Sequence, residues 1–219
     1  MIADYGPMLS FCGSCRGELD WGLRINPATG LVEGARQVPT THCDDRPGGS
    51  AVDLVVLHGI SLPPGRFGGP WVEALFTGAL PADHHPYFAG LAGVRVSSHL
   101  FVDRTGGLTQ FVPLTRRAWH AGISRFRGRS RCNDFSVGIE LEGDDATPYT
   151  ESQYETLLAL LECLLRTYDG IVPDRVVGHC HIAPERKTDP GKAFDWARLT
   201  RQLGVPLPAG HWPPEGAAG

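Results

Sequence analysis

The segment VDLVVL (52–57) constrains the fold more than any other part of the sequence, because it is a short and almost continuous apolar run. Such a run is typical of a β-strand that is covered on both faces. SVGIELE (136–142) indicates a second strand, in which Val137, Ile139 and Leu141 share one face. The chain therefore needs a layer of structure on each side of a central sheet.

The clearest helix is predicted over residues 151–168. Thr150 and Gln153 fit a capping box at its start, and Gly170 follows as a stop signal. Apolar residues recur at helical spacing and form one stripe along this segment. The members of the stripe are Tyr154, Leu157, Leu158, Leu161, Leu165 and Tyr168.

Shorter elements interleave with these. SSHLFVDR (97–104) and LTQFVP (108–113) read as two strands joined by a hairpin turn at 105–107, and RVVGH (175–179) reads as a short strand. Trp71–Phe76 and Ala193–Leu203 fit short helices. The interleaving predicts an α/β fold with a central, mostly mixed sheet flanked by helices.

A length of 219 residues favours one domain with small additions. We expect residues 1–24 to be an N-terminal extension of unknown role. Residues 25–204 would form the domain, with a loop-dominated lead-in over 25–50 where Pro, Gly, Thr and Asp are frequent. The Pro- and Gly-rich stretch 205–219 reads as an irregular tail.

Charge and hydropathy exclude several classes of function. The formal net charge is −4, so electrostatic capture of nucleic acid is not expected. No apolar run approaches the roughly 20 residues that a membrane-spanning helix needs. The start of the sequence lacks a basic segment followed by an apolar core, so we expect a cytoplasmic protein.

The six cysteines are expected to be free thiols, because disulfides are rare in a protein of this size without an export signal. Cys163 lies inside the apolar helical pattern and fits the core. Cys12 and Cys15 form a C-x-x-C pair, which is typical of zinc knuckles only when a second pair is present. We interpret this pair as incidental thiols.

Three polar residues lie at or beyond the ends of predicted strands. His58 ends the first strand, His179 ends RVVGH, and Asp189 follows in a Pro-rich loop. Two imidazoles and one carboxylate suit a catalytic zinc that keeps a fourth position open. The spacing matches no local metal motif, and a lone histidine at a strand end is more often a hydrogen-bonded structural residue, so the residues alone favour structural roles at this point.

Other polar residues admit two interpretations each. Glu140 is either a solvated carboxylate on an open sheet face or a general acid or base beside a metal. Lys187 is either a surface lysine or a group that stabilises an oxyanion. Glu142 reads as peripheral, and the segment with Trp119 and His120 can line a cleft.

The remaining histidines are weaker candidates for metal binding or catalysis. His99 begins a predicted strand, which favours a hydrogen-bonded core position. His84 and His85 lie in a loop and are expected at the surface. His181 lies two residues after His179, and we disfavour it as a further metal ligand.

Several longer motifs together resemble the N-acetylmuramoyl-L-alanine amidases of the type-2 amidase and peptidoglycan-recognition-protein superfamily. The resemblance runs from about residue 34 to residue 203 and is highly specific. It is carried by ARQVPTTHCDDRP, LHGISLPPG, FGGPWVEALFTG, RVSSHLFVDR, RAWHAG, RCNDFSVGIELEG and GHCHIAPERKTDPG. Within the superfamily the match is closest to the cytosolic branch that acts on 1,6-anhydro-muropeptides.

The resemblance implies a role for particular residues of this chain. It implies one Zn²⁺ per chain, held by His58, His179 and Asp189. It implies Glu140 and Lys187 as catalytic residues. Substrate-contacting or cleft-lining positions fall on Arg95, Arg131, Trp119 and Ala183. The implied reaction is hydrolysis of the amide between the muramic-acid lactyl group and L-alanine, on anhydromuropeptides from peptidoglycan recycling, by a monomer.

This chain departs from the family pattern at two positions beside the implied ligands. Family members of this branch usually have Asn where this chain has Gly59, and often Asp where it has His181. We expect both differences to tune affinity without abolishing activity. Two alternatives remain open: an exported amidase that acts on polymeric peptidoglycan, and a non-catalytic peptidoglycan-binding protein, which would generally lack part of the zinc triad.

Overall fold

The computed structural model describes residues 23–203, and a six-stranded sheet lies at its centre. Within that range the strands are β1 (Arg24–Asn26), β2 (Leu31–Glu33), β3 (Arg36–Gln37), β4 (Cys43–Asp45), β5 (Leu54–Ile60), β6 (Leu100–Val102), β7 (Leu108–Gln110), β8 (Arg116–Ala118), β9 (Arg125–Phe126), β10 (Arg129–Ser130), β11 (Ser136–Glu142) and β12 (Val176–Gly178). The central sheet has the order β12-β5-β11-β6-β7-β3, and the other strands form two-stranded sheets.

The central sheet is mixed, as predicted. β5, β6, β11 and β12 pair in parallel, and the hairpin β6–β7 adds the antiparallel pair. In this register His58 of β5 lies beside Glu140 of β11, and Glu140 lies beside Phe101 of β6. Side chains at the same level of neighbouring strands point to the same face. Two of the residues singled out from the sequence are therefore neighbours on one face.

Five α-helices surround this sheet in the described part of the chain. They are α1 (Trp71–Thr77), α2 (Pro86–Ala89), α3 (Glu151–Thr167), α4 (His179–Ile182) and α5 (Trp196–Leu203). The capping box of Thr150 and Gln153 is present at the start of α3. The apolar stripe of α3 packs with alternate residues of β5 and β11 in one large core cluster. Fold class and layering are thus as the sequence predicts.

Several predicted boundaries are wrong by a few residues. The strand expected over 97–104 is limited to Leu100–Val102, and the one expected over 108–113 to Leu108–Gln110. The last helix begins at Trp196 rather than Ala193. Pairing ends where the partner strand ends, and the sequence of one strand does not contain that information.

Residues 25–50 are dominated by loops, as predicted, although the short strands β1 to β4 lie at 24–45. Two other predictions need correction. His179 does not end a strand but begins α4, directly after β12. Gly170 does not stop α3 by a left-handed turn, because Tyr168 already adopts an extended conformation and its N–H bonds to the carbonyl of Leu164.

Other sequence-based expectations can be placed within residues 23–203. Cys43, Cys132, Cys163 and Cys180 are free thiols, as predicted. None of the helices in that range is long and apolar enough to cross a membrane. Cys12, Cys15, nearly all of the predicted 1–24 extension and the whole 205–219 tail lie outside the described residues.

Candidate active site

Two histidines and one aspartate converge at one edge of the sheet. The Nδ1 atoms of His58 and His179 lie 3.0 Å apart. Asp189 Oδ2 lies 3.1 Å from His58 Nδ1 and 3.2 Å from His179 Nδ1. These are the three residues that the sequence predicted as metal ligands, and the fold brings them together from positions far apart in the chain.

The fold explains this convergence. β12 runs parallel to β5 and places Gly178 beside Leu57. His179, the first residue of α4, and His58 of β5 each directly follow this pair. The loop that carries Asp189 is tied back to α4, because the N–H of Cys180 donates to the Asp189 carbonyl at 3.0 Å. The site is therefore built where two parallel strands end.

The donor set fits a tetrahedral metal ion. Two atoms that each lie about 2.1 Å from one tetrahedral ion are about 3.4 Å apart, close to the separations seen here. The ligand atoms of the three residues lie within 4.8 Å of one another, and both imidazoles are buried. Two nitrogen donors and one carboxylate oxygen leave one of four positions for water or substrate, as in catalytic zinc sites.

The electrostatics of these residues favours the protonation states that bind metal. Burial opposes ionisation of Asp189, but hydrogen bonds from His179 and His58 hold the pKa of this carboxyl well below its ordinary value. Burial, together with the neighbouring His179, lowers the pKa of His58 to about 4. At neutral pH the cluster thus offers an ionised carboxylate beside a neutral His58 imidazole.

Each of the two imidazoles also has a neighbour within hydrogen-bond distance of its Nε2 atom. His179 Nε2 lies 3.1 Å from the carbonyl oxygen of Ala121, which can only accept a hydrogen bond. His58 Nε2 lies 2.9 Å from Nδ1 of His120. The sequence interpretation placed His120 in a cleft lining but missed its contact with His58, because nothing in the local pattern signals it.

Glu140 lies on the sheet face beside His58. The interpretation as a solvated carboxylate on an open face is wrong, since Glu140 is 8% exposed. Burial raises its pKa well above the ordinary value, the charge of Asp189 raises it further, and Lys187 opposes both. In the part of the chain that the structure describes, no group donates a hydrogen bond to this carboxylate. A buried, unpaired carboxylate next to a metal cluster is suited to proton transfer.

Glu142 differs from Glu140 although it lies two residues further on the same face. Its carboxylate accepts hydrogen bonds from the backbone N–H groups of Gly68 and Arg104. Both oxygens are occupied by backbone donors. Glu142 therefore fixes a loop, in line with the prediction that it lies outside the chemistry.

Two of the predicted cleft residues, Trp119 and Ala183, adjoin segments that contact or belong to the cluster. Trp119 precedes His120, and its Nε1 donates to Asp44 Oδ1 at 3.1 Å. The guanidinium of Arg95 lies 5.3 Å from the centre of the Trp119 ring, at the surface. Ala183 is nearly buried at the end of α4, where its N–H donates to the His179 carbonyl.

Arg131 is exposed and adopts a left-handed backbone conformation with φ of 62°. Its Nε lies 3.2 Å from Asp134 Oδ2. It directly precedes the short turn Cys132–Asp134, whose Asn133 side chain accepts hydrogen bonds from the backbone of His120 and Ala121. The fold thus links Arg131 to the cluster through one turn.

The structure explains why residue 59 is a glycine and carries no side chain. A Cβ at this position would lie 2.5 Å from the hydroxyl oxygen of Tyr149. That hydroxyl donates to the carbonyl of Pro190 at 2.8 Å, directly after the cluster residue Asp189. The space that Asn would need at position 59 is occupied by a tyrosine that ties down the Asp189 loop.

His181 is not part of the cluster. Its Nδ1 accepts a hydrogen bond from the N–H of Gly178 at 2.8 Å, which caps α4. Its ring contacts Trp196, with ring centres 5.1 Å apart. Burial lowers the pKa of His181, so this side chain stays neutral at pH 7. The sequence interpretation that disfavoured it as a ligand is consistent with this placement.

A cavity of about 630 Å³ lies between α1 and the β6–β7 hairpin, and none of His58, His179 and Asp189 lines it. Glu142 and Phe101 line it, together with Arg36 and Arg104. Phe101 is level with Glu140 and His58 in the sheet register. The cavity therefore continues the sheet face that carries the cluster.

Comparison with known proteins adds a family to this geometry. Residues 48–192 match the protein family described as N-acetylmuramoyl-L-alanine amidase. The chain is 55% identical over 170 residues to the 1,6-anhydro-N-acetylmuramyl-L-alanine amidase AmpD of Citrobacter freundii. The alignment covers 78% of this chain and 90% of that relative.

Solved structures are similar as well. A crystal structure of a selenomethionine derivative of AmpD aligns with a TM-score of 0.78 at 53% identity, covering 83% of this chain and 99% of that one. The amidase AmiD of Escherichia coli, in complex with anhydro-N-acetylmuramic acid-L-Ala-D-gamma-Glu-L-Lys, aligns with a TM-score of 0.52 at 30% identity. That alignment covers 73% of this chain and 61% of AmiD.

Proposed function

This chain belongs to the N-acetylmuramoyl-L-alanine amidase family, and on that premise we propose that it is a zinc-dependent enzyme of peptidoglycan recycling. It would hydrolyse the amide between the lactyl group of 1,6-anhydro-N-acetylmuramic acid and L-alanine. The observation that carries this proposal is the convergence of His58, His179 and Asp189 beside a buried Glu140.

His58, His179 and Asp189 would hold one zinc ion per chain. When bound, that ion supplies positive charge, which polarises the scissile carbonyl and favours loss of a proton from water near neutral pH. The donor set supports zinc over magnesium or calcium, since those ions prefer an all-oxygen environment.

Glu140 would move the proton in this reaction. Its carboxylate accepts a proton from the water that attacks the lactyl carbonyl, and then passes that proton to the nitrogen of L-alanine as the C–N bond breaks. Lys187, whose charge acts on both Glu140 and His58, would help to hold the negative charge that develops on the carbonyl oxygen. The products are a lactyl carboxylate and a peptide with a free amino group.

The surrounding side chains would bind the substrate. Arg95 and Arg131 are exposed, so their planar guanidinium groups are available for carboxylates of the peptide. Trp119 would provide an apolar wall beside the cluster, and Ala183 would leave room at the cleft floor.

We assign the substrate class to soluble anhydromuropeptides and the compartment to the cytoplasm, with a monomer as the active species. The name of the Citrobacter freundii relative and the ligand in the AmiD complex support the anhydro sugar. An exported enzyme would instead prefer polymeric peptidoglycan. A non-catalytic receptor is disfavoured because all three positions of the cluster are filled.

Substrate choice tests this assignment. The purified chain is offered anhydro-N-acetylmuramoyl tripeptide and, separately, intact sacculi, and the products are identified by mass. We expect cleavage of the soluble compound at the lactyl amide. A strong preference for sacculi would overturn the recycling role, and cleavage of neither would favour the receptor.

The ligand assignment is tested by Asp189→Ala. This variant should lose bound zinc and at least about 10³-fold of the hydrolysis rate, because the site loses its negative ligand. Glu185→Ala is the matched control, since Glu185 is an exposed acid of the same loop. Unchanged zinc stoichiometry in Asp189→Ala would contradict the assignment.

A further inference from the structure

One short segment supplies the outer hydrogen-bond partner of both candidate ligand imidazoles. His120 faces Nε2 of His58, and the carbonyl of the next residue, Ala121, faces Nε2 of His179. The two contacts are 2.9 and 3.1 Å long. We propose that His120, together with Asn133, is a positioning residue that fixes both imidazoles with their Nδ1 lone pairs directed at the metal. This inference rests on the proposed zinc site.

The direction of each hydrogen bond follows from elementary chemistry. The carbonyl of Ala121 can only accept, and it also accepts from Nη2 of Arg186 at 2.9 Å. If His179 binds metal through Nδ1, it therefore carries its proton on Nε2 and donates to that carbonyl. If His58 also binds metal through Nδ1, its Nε2 carries a proton and donates to Nδ1 of His120. His120 then carries its own proton on Nε2, which lies 3.1 Å from the hydroxyl oxygen of Ser136. The chain ends at a hydroxyl that can accept.

The sheet is shaped to hold the His120 ring. A Cβ on Gly138 would lie 2.5 Å from Cγ of His120 and 2.7 Å from its Nδ1. The ring therefore lies directly on the backbone of β11, between Ser136 and Glu140. Any side chain at Gly138 would push the ring away from His58, which gives this glycine a role beyond backbone flexibility.

Asn133 holds the backbone of the same segment. Its Oδ1 accepts hydrogen bonds from the N–H of His120 at 3.2 Å and of Ala121 at 2.8 Å. The turn that carries Asn133 is held in place, since Nη1 of Arg46 donates to the carbonyls of Asn133 and Asp134. One amide oxygen thus positions both outer partners at once.

Outer partners of this kind change metal affinity by about 10- to 100-fold when they are removed. A matched pair of substitutions isolates the contact to His58. The side-chain amide of Asn can occupy the place of Nδ1 of His120 and accept from His58. The longer amide of Gln instead reaches the place of Nε2, near Ser136. We therefore expect His120→Asn to bind zinc nearly as well as the wild-type chain, and His120→Gln to bind it about 10- to 100-fold more weakly.

A second pair tests the support from Asn133. Asn133→Asp keeps an oxygen that accepts from both N–H groups, whereas Asn133→Ala removes it. We expect the alanine variant to weaken zinc binding by about tenfold and the aspartate variant to retain it. Circular dichroism of the zinc-free protein shows whether His120→Gln folds. If it does not fold, the two Asn133 variants still test the proposal.

The experiment measures the zinc dissociation constant of the full chain by competition with a chromophoric chelator, without substrate. The hydrolysis of anhydro-N-acetylmuramoyl tripeptide is then followed at saturating zinc. A positioning role predicts weaker zinc binding with little change in KM. Unchanged zinc affinity with a raised KM would assign His120 to the substrate instead and overturn the inference. If the wild-type chain itself binds no zinc, the proposed function fails.

Discussion

The two faces of β11 are built in different ways. Val137, Ile139 and Leu141 point to the side of α3 and lie in the large apolar cluster, with at most 1% of each exposed. The other face carries Ser136, Gly138, Glu140 and Glu142. Ser136 and Gly138 adjoin the His120 ring, and Glu142 accepts from the backbone of Gly68, so their partners come from distant loops.

The difference separates stability from chemistry. Apolar contacts depend on volume and on area removed from water, so many arrangements of the first face would serve. The chemistry of the second face depends on individual atoms that lie about 3 Å from one another. We therefore expect substitutions under α3 to lower the free energy of unfolding and leave the rate of the folded enzyme unchanged. Substitution of Glu140 on the opposite face should do the reverse, lowering the rate and leaving the free energy of unfolding unchanged.

Among substitutions on the two faces of β11 and its partners, the largest expected effect comes from Glu140→Gln. The amide cannot take a proton from water, so the rate should fall by about 10³-fold, within the usual range for a lost general base. Zinc content should stay the same, and stability should not fall, because a buried unpaired carboxylate is replaced by a neutral group. Steady-state hydrolysis of anhydro-N-acetylmuramoyl tripeptide and metal analysis check both points.

Glu142→Gln is the matched control for that experiment. Glu142 accepts from two backbone N–H groups, and an amide nitrogen in place of one oxygen removes one of these bonds. We expect a loss of stability of about 1–3 kcal/mol and a rate close to that of the wild-type chain. Equal loss of rate in the two variants would remove the distinction between these glutamates.

Leu161→Ala addresses the apolar face. Leu161 is fully buried under the sheet, so truncation should cost about 3 kcal/mol of unfolding free energy through lost burial and a cavity. Urea unfolding measures this loss, and the rate per folded molecule should not change. Leu165→Ala, one turn further along α3 and only partly buried, should cost clearly less. A rate loss in Leu161→Ala comparable with that of Glu140→Gln would contradict the separation of the faces.

The polar face should also make stability depend on pH. His99 is fully buried, its Nδ1 accepts from the N–H of Gly138, and burial together with the charge of Arg46 lowers its pKa to about 3. Above pH 6.5 the group is neutral in both states and has no effect. As the pH falls below 6.5, the unfolded chain takes up a proton that the folded chain refuses, so stability decreases until the pH reaches about 3.

The magnitude follows from this shift. His99 should lower stability by about 2 kcal/mol between pH 6.5 and pH 5. Urea unfolding of the zinc-free protein measures the slope, which should be smaller in His99→Gln. His84→Gln is the control, because His84 is exposed and should leave the slope unchanged. An identical slope in His99→Gln and the wild-type chain would contradict the burial argument.

The smallest expected effect concerns Gly59 and Tyr149. Gly59→Ala places a methyl group 2.5 Å from the Tyr149 hydroxyl and should cost about 1–2 kcal/mol of stability. Tyr149→Phe loses the bond to the Pro190 carbonyl and should cost about 1 kcal/mol. Since the clash involves only the hydroxyl oxygen, the double variant should cost less than the sum of the two. Strict additivity in a double-mutant cycle would show that the two residues do not interact.

The sequence predicts the apolar face well, because that face is encoded in local periodicity. The alternation in 136–142 and the stripe of α3 were sufficient to predict β11, α3 and the layer between them. The strand ends at residues 97–104 and 108–113 were predicted less well, since they depend on where a partner strand stops. The start of α4 at His179 depends on the N–H of Gly178 meeting the His181 ring, a contact that spacing does not reveal.

The candidate site was predictable only in part. Family motifs single out His58, His179 and Asp189, whereas their spacing does not. The outer contacts of His120, Asn133 and Tyr149 escaped prediction, because each joins residues from separate loops by a single hydrogen bond. Such contacts leave no periodic signal in the chain.

The central claim is that a zinc ion held by His58, His179 and Asp189 is needed for hydrolysis of the lactyl amide. The most direct measurement determines zinc content and cleavage of anhydro-N-acetylmuramoyl tripeptide on one preparation, before chelation, after it, and after one equivalent of zinc is restored. We predict one zinc per chain, loss of cleavage with loss of zinc, and recovery on restoration. Cleavage that persists after complete removal of zinc would contradict the account.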